Sequence, residues 1–367
     1  MTTLLKVLRF LGPIFLFFSL LVALPSYLIS YFNQSADEVM GLILLLGVGY
    51  SGVILFTLRS KKFIYTPRDG FLITLVSWVL VSLIAAIPFF NFGMTYTDSF
   101  FEAVSGLTTT GSTTISSLID LPKHLLMYRQ LLQWAGGVGL VIVVLAIIPA
   151  VSGGIKVLQA ETSGFAEKSF SPRLRETARS LLKFYLIITF LCAGSYWLAG
   201  MTTFDAFAHS FSTVSIGGFS TYDGNFGYFQ NTSIELVAMV FMFISASNFG
   251  LHFLSITRFK FKNYLENDEF MFFVFILLFS IIVSIVLLIF KENLSLSEAV
   301  RYGFFQTISI VTTSGFTLMP LDNFGQALPF FIFIIAFIGA CSGSVGGGMK
   351  VWRVVMLLRV AFDNITK

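Results

Sequence analysis

The chain has 367 residues; 56% are hydrophobic, only 11% are charged, and the formal net charge is +4. Soluble domains carry about 25% charged residues, so these charges are too few to cover a water-exposed surface, and lipid must cover much of it. The 44 phenylalanines then read as lipid-facing and packing bulk, and the basic balance as the loop bias of a membrane protein rather than a nucleic-acid surface.

Lys6 and Arg9 precede an apolar run from Leu11 to Phe32. The run is longer than a signal-peptide core and lacks a small-residue cleavage site, which predicts a retained transmembrane helix. A hydrocarbon core of about 30 Å needs about 20 apolar helical residues. Spans are expected at 11–32, 39–58, 70–92, 130–151, 184–200, 233–256, 270–290 and 327–360. The last is too long for one simple span and carries a Gly/Ser break. With the N-terminus in the cytoplasm, inner segments hold 19 of the 23 Lys and Arg residues, as the positive-inside rule requires. Cys192 and Cys341 lie in apolar stretches, without metal-ligand spacing or a disulfide framework, and read as packing residues.

The outer segments after the third, fifth and seventh spans are long and rich in Ser, Thr and Gly. Each opens with an amphipathic run too short to cross: 98–108, 205–214 and 297–311. Non-helical backbone at membrane depth survives only where protein buries it or water reaches it, so each unit reads as a re-entrant pore loop. The loops align on Gly111, Gly217 and Gly315, which lie 106 and 98 residues apart. The expected division is a two-helix region 1–66 followed by pore repeats 67–160, 161–265 and 266–367.

A dehydrated monovalent cation needs several oxygens, which consecutive backbone carbonyls supply. Glycine permits the backbone geometry, and the short helix turns its negative end toward the ion. Asp98, Asp205 and Glu298 stand near the short-helix starts. They read as first-turn helix chemistry or as cation attractors at the outer mouth. Glu102 and His209 fall inside the short helices and read as hydrogen-bonded supports. The segment from Phe337 to Lys350 (FIGACSGSVGGGMK) is too glycine-rich for a continuous helix. It reads as a constriction in the ion path, with a hinge or close helix crossing as the alternative.

Thr108-Thr109-Thr110-Gly111, the run Arg129 to Gly137, the run His209 to Thr221, Asn248 to Phe253, Thr312 to Phe316 and Gly339 to Lys350 together give a specific pattern. On these motifs the chain resembles the Trk/Ktr/HKT superfamily of potassium transporters, most closely its bacterial TrkH-type subunits, over essentially its whole length. The resemblance implies an all-α integral membrane fold, with two N-terminal helices followed by helix–pore loop–helix repeats. It implies K⁺ as the transported ion, with no covalently bound cofactor and no other metal. The implied filter is Thr109, Thr110 and Gly111; Ser215, Ile216 and Gly217; and Thr313, Ser314 and Gly315. Gly rather than Ser at position 111 goes with potassium over sodium. The implied gating loop contains Gly339, Ser342, Gly343, Ser344, Gly346, Gly347 and Gly348. A homodimer in the bacterial inner membrane and a cytoplasmic nucleotide-binding, TrkA-like regulatory subunit are also implied.

The family has four repeats, and this sequence reaches Lys367 directly after the third. The expectation is therefore a truncated product, an incomplete gene, or a subunit completed by another polypeptide. Proton or sodium coupling would need ionisable residues within spans, and the spans hold almost none; Glu235 sits at an outer end. Neither a Ser/His nor a His-Glu-x-x-His arrangement appears, which argues against an intramembrane enzyme. A non-conducting regulatory membrane protein remains the other alternative.

Overall fold

The computed structural model describes residues 2–33, 38–57, 67–147 and 172–365; their regular elements are helices, with no β-strand among them. The chain forms two compact units. The first takes the described residues up to Lys183, and the second runs from Phe184 onward.

In the first unit, α1 (Thr2–Phe18) passes through a π-helical turn (Ser19–Ala23) into α2 (Leu24–Phe32), giving one apolar helix long enough to span a bilayer. It packs against α3 (Glu38–Thr57), where the Ser51 hydroxyl donates to the Gly12 carbonyl at 2.7 Å. Lys6 pairs with Asp69 at 2.6 Å on α4 (Pro67–Ala85). After α5 (Ile87–Asn91) comes the short α6 (Tyr96–Leu107), then α7 (Lys123–Ile147). Residues 148–151 of the fourth expected span lie outside the described residues. Tyr128 of α7 is fully buried, packs on Phe89 and donates to the Ala85 carbonyl at 3.1 Å. The C-terminal end of α6 rests on α7 at Gly136, where a Cβ would run into the Leu107 carbonyl.

α8 (Pro172–Leu198) supplies another span-length apolar helix, Ser180–Leu198. In the second unit follow the short α9 (Thr203–Ser215), then α10 (Thr232–Ala246) and α11 (Phe249–Thr257). The sequence predicts one straight span over 233–256. The structure corrects this: α10 and α11 are bent by 97°. Ser247 is extended, and Asn248 restarts the helix by accepting the Leu251 N–H at 3.1 Å, so its side chain substitutes for the interrupted ladder. α12 (Lys262–Leu265) leads to α13 (Asp268–Glu292), the most apolar of the span-length helices, and the short α14 (Leu296–Val311) packs along it. α15 (Ala327–Ala336) and α16 (Val351–Ile365) are separate helices with non-helical backbone between them, so the predicted break in the last span is present. Leu288, Ala299, Phe324, Leu328 and Ile332 form a buried cluster joining α13, α14 and α15.

The contact at Gly136 yields a packing prediction. Gly136→Ala forces a methyl against backbone, and overpacking of this kind costs about 1–3 kcal/mol. Gly139→Ala, where a Cβ meets nothing within 4 Å, serves as the control. Thermal unfolding in detergent should show a lowered Tm for the first variant and an unchanged Tm for the second.

Candidate functional site

The three short helices share one start. Thr95, Thr202 and Ser295 each accept the N–H of the residue three positions on: Asp98, Asp205 and Glu298. Each hydroxyl also donates to that residue's carboxylate, at 2.6, 2.7 and 2.7 Å. A hydroxyl at the N-cap and a carboxylate in the first turn satisfy N–H groups left without helical partners. The acidic residues therefore belong to the helix caps, as first-turn chemistry predicts.

The helix ends are equally alike. Ser105, Ser212 and Ser309 each use their carbonyl to take the N–H five residues on, that of Thr110, Gly217 and Ser314, at 2.9, 2.8 and 2.8 Å. The residue before each of those, Thr109, Ile216 and Thr313, has a φ of 55°, 55° and 66°. All three are β-branched residues in left-handed backbone, a conformation that costs roughly 1–3 kcal/mol each and persists only where the surroundings impose it. The next positive φ falls on Gly111, Gly218 and Gly315. This corrects the register of the second loop. Gly218, not Gly217, stands where Gly111 and Gly315 stand. The equivalent triplets are Thr109-Thr110-Gly111, Ile216-Gly217-Gly218 and Thr313-Ser314-Gly315. Ser215 falls one position earlier, level with Thr108 and Thr312. All three hydroxyls turn back to carbonyls of their own helix: Val104, Ser212 and Ser309. Two adjacent glycines gave the sequence alignment no means of choosing between them.

Each loop is held from behind by a buried polar residue three positions before Ser105, Ser212 or Ser309. Glu102 accepts from the Thr113 hydroxyl at 2.9 Å and pairs with Arg129 at 2.6 Å; both members of the pair are almost wholly inaccessible. His209 donates through Nδ1 to the Asp205 carbonyl at 2.9 Å, and its Nε2 meets the Ser220 hydroxyl at 3.0 Å. Gln306 donates to the Met319 carbonyl at 3.0 Å. Thr113 and Ser220 both lie two residues past the loop glycine, which independently supports the corrected register. The supporting roles expected of Glu102 and His209 are observed. Gln306 was missed, because an amide in an apolar run carries no charge to draw notice.

Within the second unit the two loops touch. A Cβ on Gly218 would collide with the Ser314 carbonyl. Asn225 caps the contact by accepting the Phe226 N–H at 2.9 Å and the Thr317 N–H at 3.4 Å. Phe226 packs edge-on to Phe316 with centroids 4.5 Å apart.

The segment from Phe337 to Lys350 folds back under the third loop. Gly339 and Gly348, both with positive φ, cross so closely that a Cβ on either would meet the other's backbone. The Gly347 N–H donates to Thr313 Oγ1 at 2.8 Å, linking the segment to a loop residue. Ser344 donates to the Cys341 carbonyl at 2.6 Å, and Lys350 Nζ lies on the Gly346 carbonyl. The bend between α10 and α11 clasps the same segment: Cys341 N–H donates to the Ala246 carbonyl at 3.0 Å, and Phe249 N–H to the Gly343 carbonyl at 3.1 Å. Ser342 N–H donates to Glu269 at 2.5 Å. Cys192 and Cys341 are buried free thiols. No group of three or more metal-ligating side chains occurs among the described residues.

Long apolar helices interleaved with short capped helices and strained loops define an all-helical integral membrane protein. Residues 44–365 match the TrkH family, described as cation transport proteins, and the chain belongs to that family. The Trk system potassium uptake protein TrkH of Halomonas elongata is 38% identical over 366 residues, covering 98% of this chain and 76% of the relative. The protein of the same name from Escherichia coli K12 is 36% identical, covering 96% of this chain and 74% of its own. The crystal structure of the potassium transporter TrkH from Vibrio parahaemolyticus matches with a TM-score of 0.87 at 36% identity, covering 99% of this chain and 76% of that one. The chain thus spans about three quarters of the length of these relatives.

The brace and the cap predict different costs. Glu102→Ala leaves the Arg129 guanidinium buried beside a lost carboxylate and is expected to cost about 3–5 kcal/mol. Ser295→Ala removes an exposed cap and should cost about 1 kcal/mol. Denaturation of the purified protein in detergent should separate the two variants in that order.

Proposed function

We propose that this chain carries potassium ions across the bacterial cytoplasmic membrane, with backbone oxygens of the three loops replacing the ion's hydration shell. The observation that carries the reading is the threefold recurrence of a left-handed β-branched residue followed two positions later by a positive-φ glycine. Strain of that kind clusters at functional sites, and carbonyl-lined filters need consecutive peptide groups held against their resting preference. The filter residues are then Thr109, Thr110 and Gly111; Ile216, Gly217 and Gly218, with Ser215 tied back behind them; and Thr313, Ser314 and Gly315. The relatives' names, potassium uptake proteins, support the choice of ion.

The segment containing Gly339, Ser342, Gly343, Ser344, Gly346, Gly347 and Gly348 is the gate in this reading, and its bond to Thr313 supports that role. Flux is driven by the membrane potential. A proton-coupled carrier needs an ionisable side chain free to exchange its proton within the bundle. Glu102, Glu235 and Glu269 are each engaged instead, with Glu235 held by both ends of the Arg301 fork. The repeat division, the cytoplasmic N-terminus, a homodimeric assembly and a cytoplasmic nucleotide-binding regulatory subunit belong to the same proposal.

The test is rubidium-86 uptake in a bacterium lacking its own potassium uptake, with and without this protein. Uptake above the background supports the reading, and none counts against it. In a form that transports, Gly111→Ser should lower potassium-over-sodium preference by about tenfold. Unchanged preference would remove Gly111 from the filter.

A further inference from the structure

The glycine-rich segment needs something to hold it. Its neck, at Gly339 and Gly348, is made of residues without side chains, and its backbone is not helical. Unpaired N–H groups at such a place must find partners inside the protein. Two of them find the same one. Glu269, in the first turn of α13, is buried, and its Oε1 accepts the Ser342 N–H at 2.5 Å and the Trp352 N–H at 3.1 Å. Ser342 lies within the segment, three residues past Gly339, and Trp352 is in the first turn of α16, just after it. One carboxylate therefore ties the inside of the segment to the helix that follows it. The N-terminus of α16 favours a negative charge at that point, and hydrogen bonds to an ionised acceptor are roughly twice as strong as neutral ones.

We propose that Glu269 is the positioning residue that keeps this segment folded beneath the third loop, so that losing the carboxylate frees the segment while leaving the loops as they are. The proposal rests on reading the segment as the gate only for its effect on flux; the grip itself stands apart from that reading. α13 supplies the anchor from outside the segment. Lys350 ties a second point of the segment, with its ammonium on the Gly346 carbonyl, so Glu269 holds Ser342 and Trp352 while Lys350 holds the glycine run between them.

Cys341 makes the test direct, because it lies within the segment, carries a free thiol and is buried. In a Cys192→Ala background it is the sole cysteine, and its alkylation by N-ethylmaleimide in native membranes reports how often the segment opens. Glu269→Ala should raise the labelling rate about tenfold, the shift expected from losing a charge-assisted hydrogen bond. Glu269→Gln keeps the oxygen and the shape but not the charge, and should give a smaller rise. Labelling of Glu269→Ala at the parent rate overturns the proposal. Should that variant fail to accumulate, Glu269→Gln decides, and the parent rate again overturns it. Rubidium flux is measured on the same membranes. Faster labelling with raised flux and unchanged potassium-over-sodium preference supports both the grip and the gate. Faster labelling with unchanged flux supports the grip and removes the gate assignment, and an altered preference would show that Glu269 acts on the filter instead.

Discussion

Among the described residues, the departures from helix meet one constraint: backbone N–H and C=O groups inside an apolar bundle must be paired by the protein itself. The architecture around the loops follows from it. The short helices are capped by Thr95, Thr202 and Ser295, which take up N–H groups that the first helical turn leaves without partners. The loop backbones return to Ser105, Ser212 and Ser309, and the bend at Ser247 is closed by Asn248 and by the Phe337–Lys350 segment. Side chains that look out of place in such an apolar chain, Glu102, His209, Gln306, Asn225 and Glu269, sit where the backbone leaves its ladder.

Satisfying those groups lets the loops hold an unfavourable shape. Thr109, Ile216 and Thr313 would relax to right-handed or extended backbone if free. The buried residue behind each loop, bonded to the segment that follows it, holds the loop in place. Stiffness at the loop is therefore derived from polar contacts a few residues away, and a brace can be weakened without removing a loop carbonyl.

The helices and the three short-helix-plus-loop units were legible because apolar length and small polar clusters are read directly from composition along the chain. The expected short runs 98–108, 205–214 and 297–311 fall within a few residues of α6, α9 and α14. The break near Gly339 was visible for the same reason: glycine density opposes helix. The bend at Ser247 was not, because Ser247-Asn248 in an apolar run looks no different from a tolerated polar pair. The register of the second loop depends on which of two adjacent glycines takes the positive φ, and φ is fixed by contacts such as that of Gly218 with the Ser314 carbonyl, distant in sequence. Glu269 was invisible for a related reason. Its partners are main-chain N–H groups more than seventy residues away, and backbone donors leave no mark in a sequence.

The three supports behind the loops are chemically unlike: a carboxylate locked to an arginine, an imidazole between a carbonyl and a hydroxyl, and an amide on a carbonyl. In a pore assembled from identical subunits, each substitution is multiplied by the number of copies, so evolution can adjust the ring only in whole steps. A chain that carries its loops in tandem takes each change once. Its supports can drift apart, giving finer adjustment of each loop, at the cost that no loop reports the fitness of another.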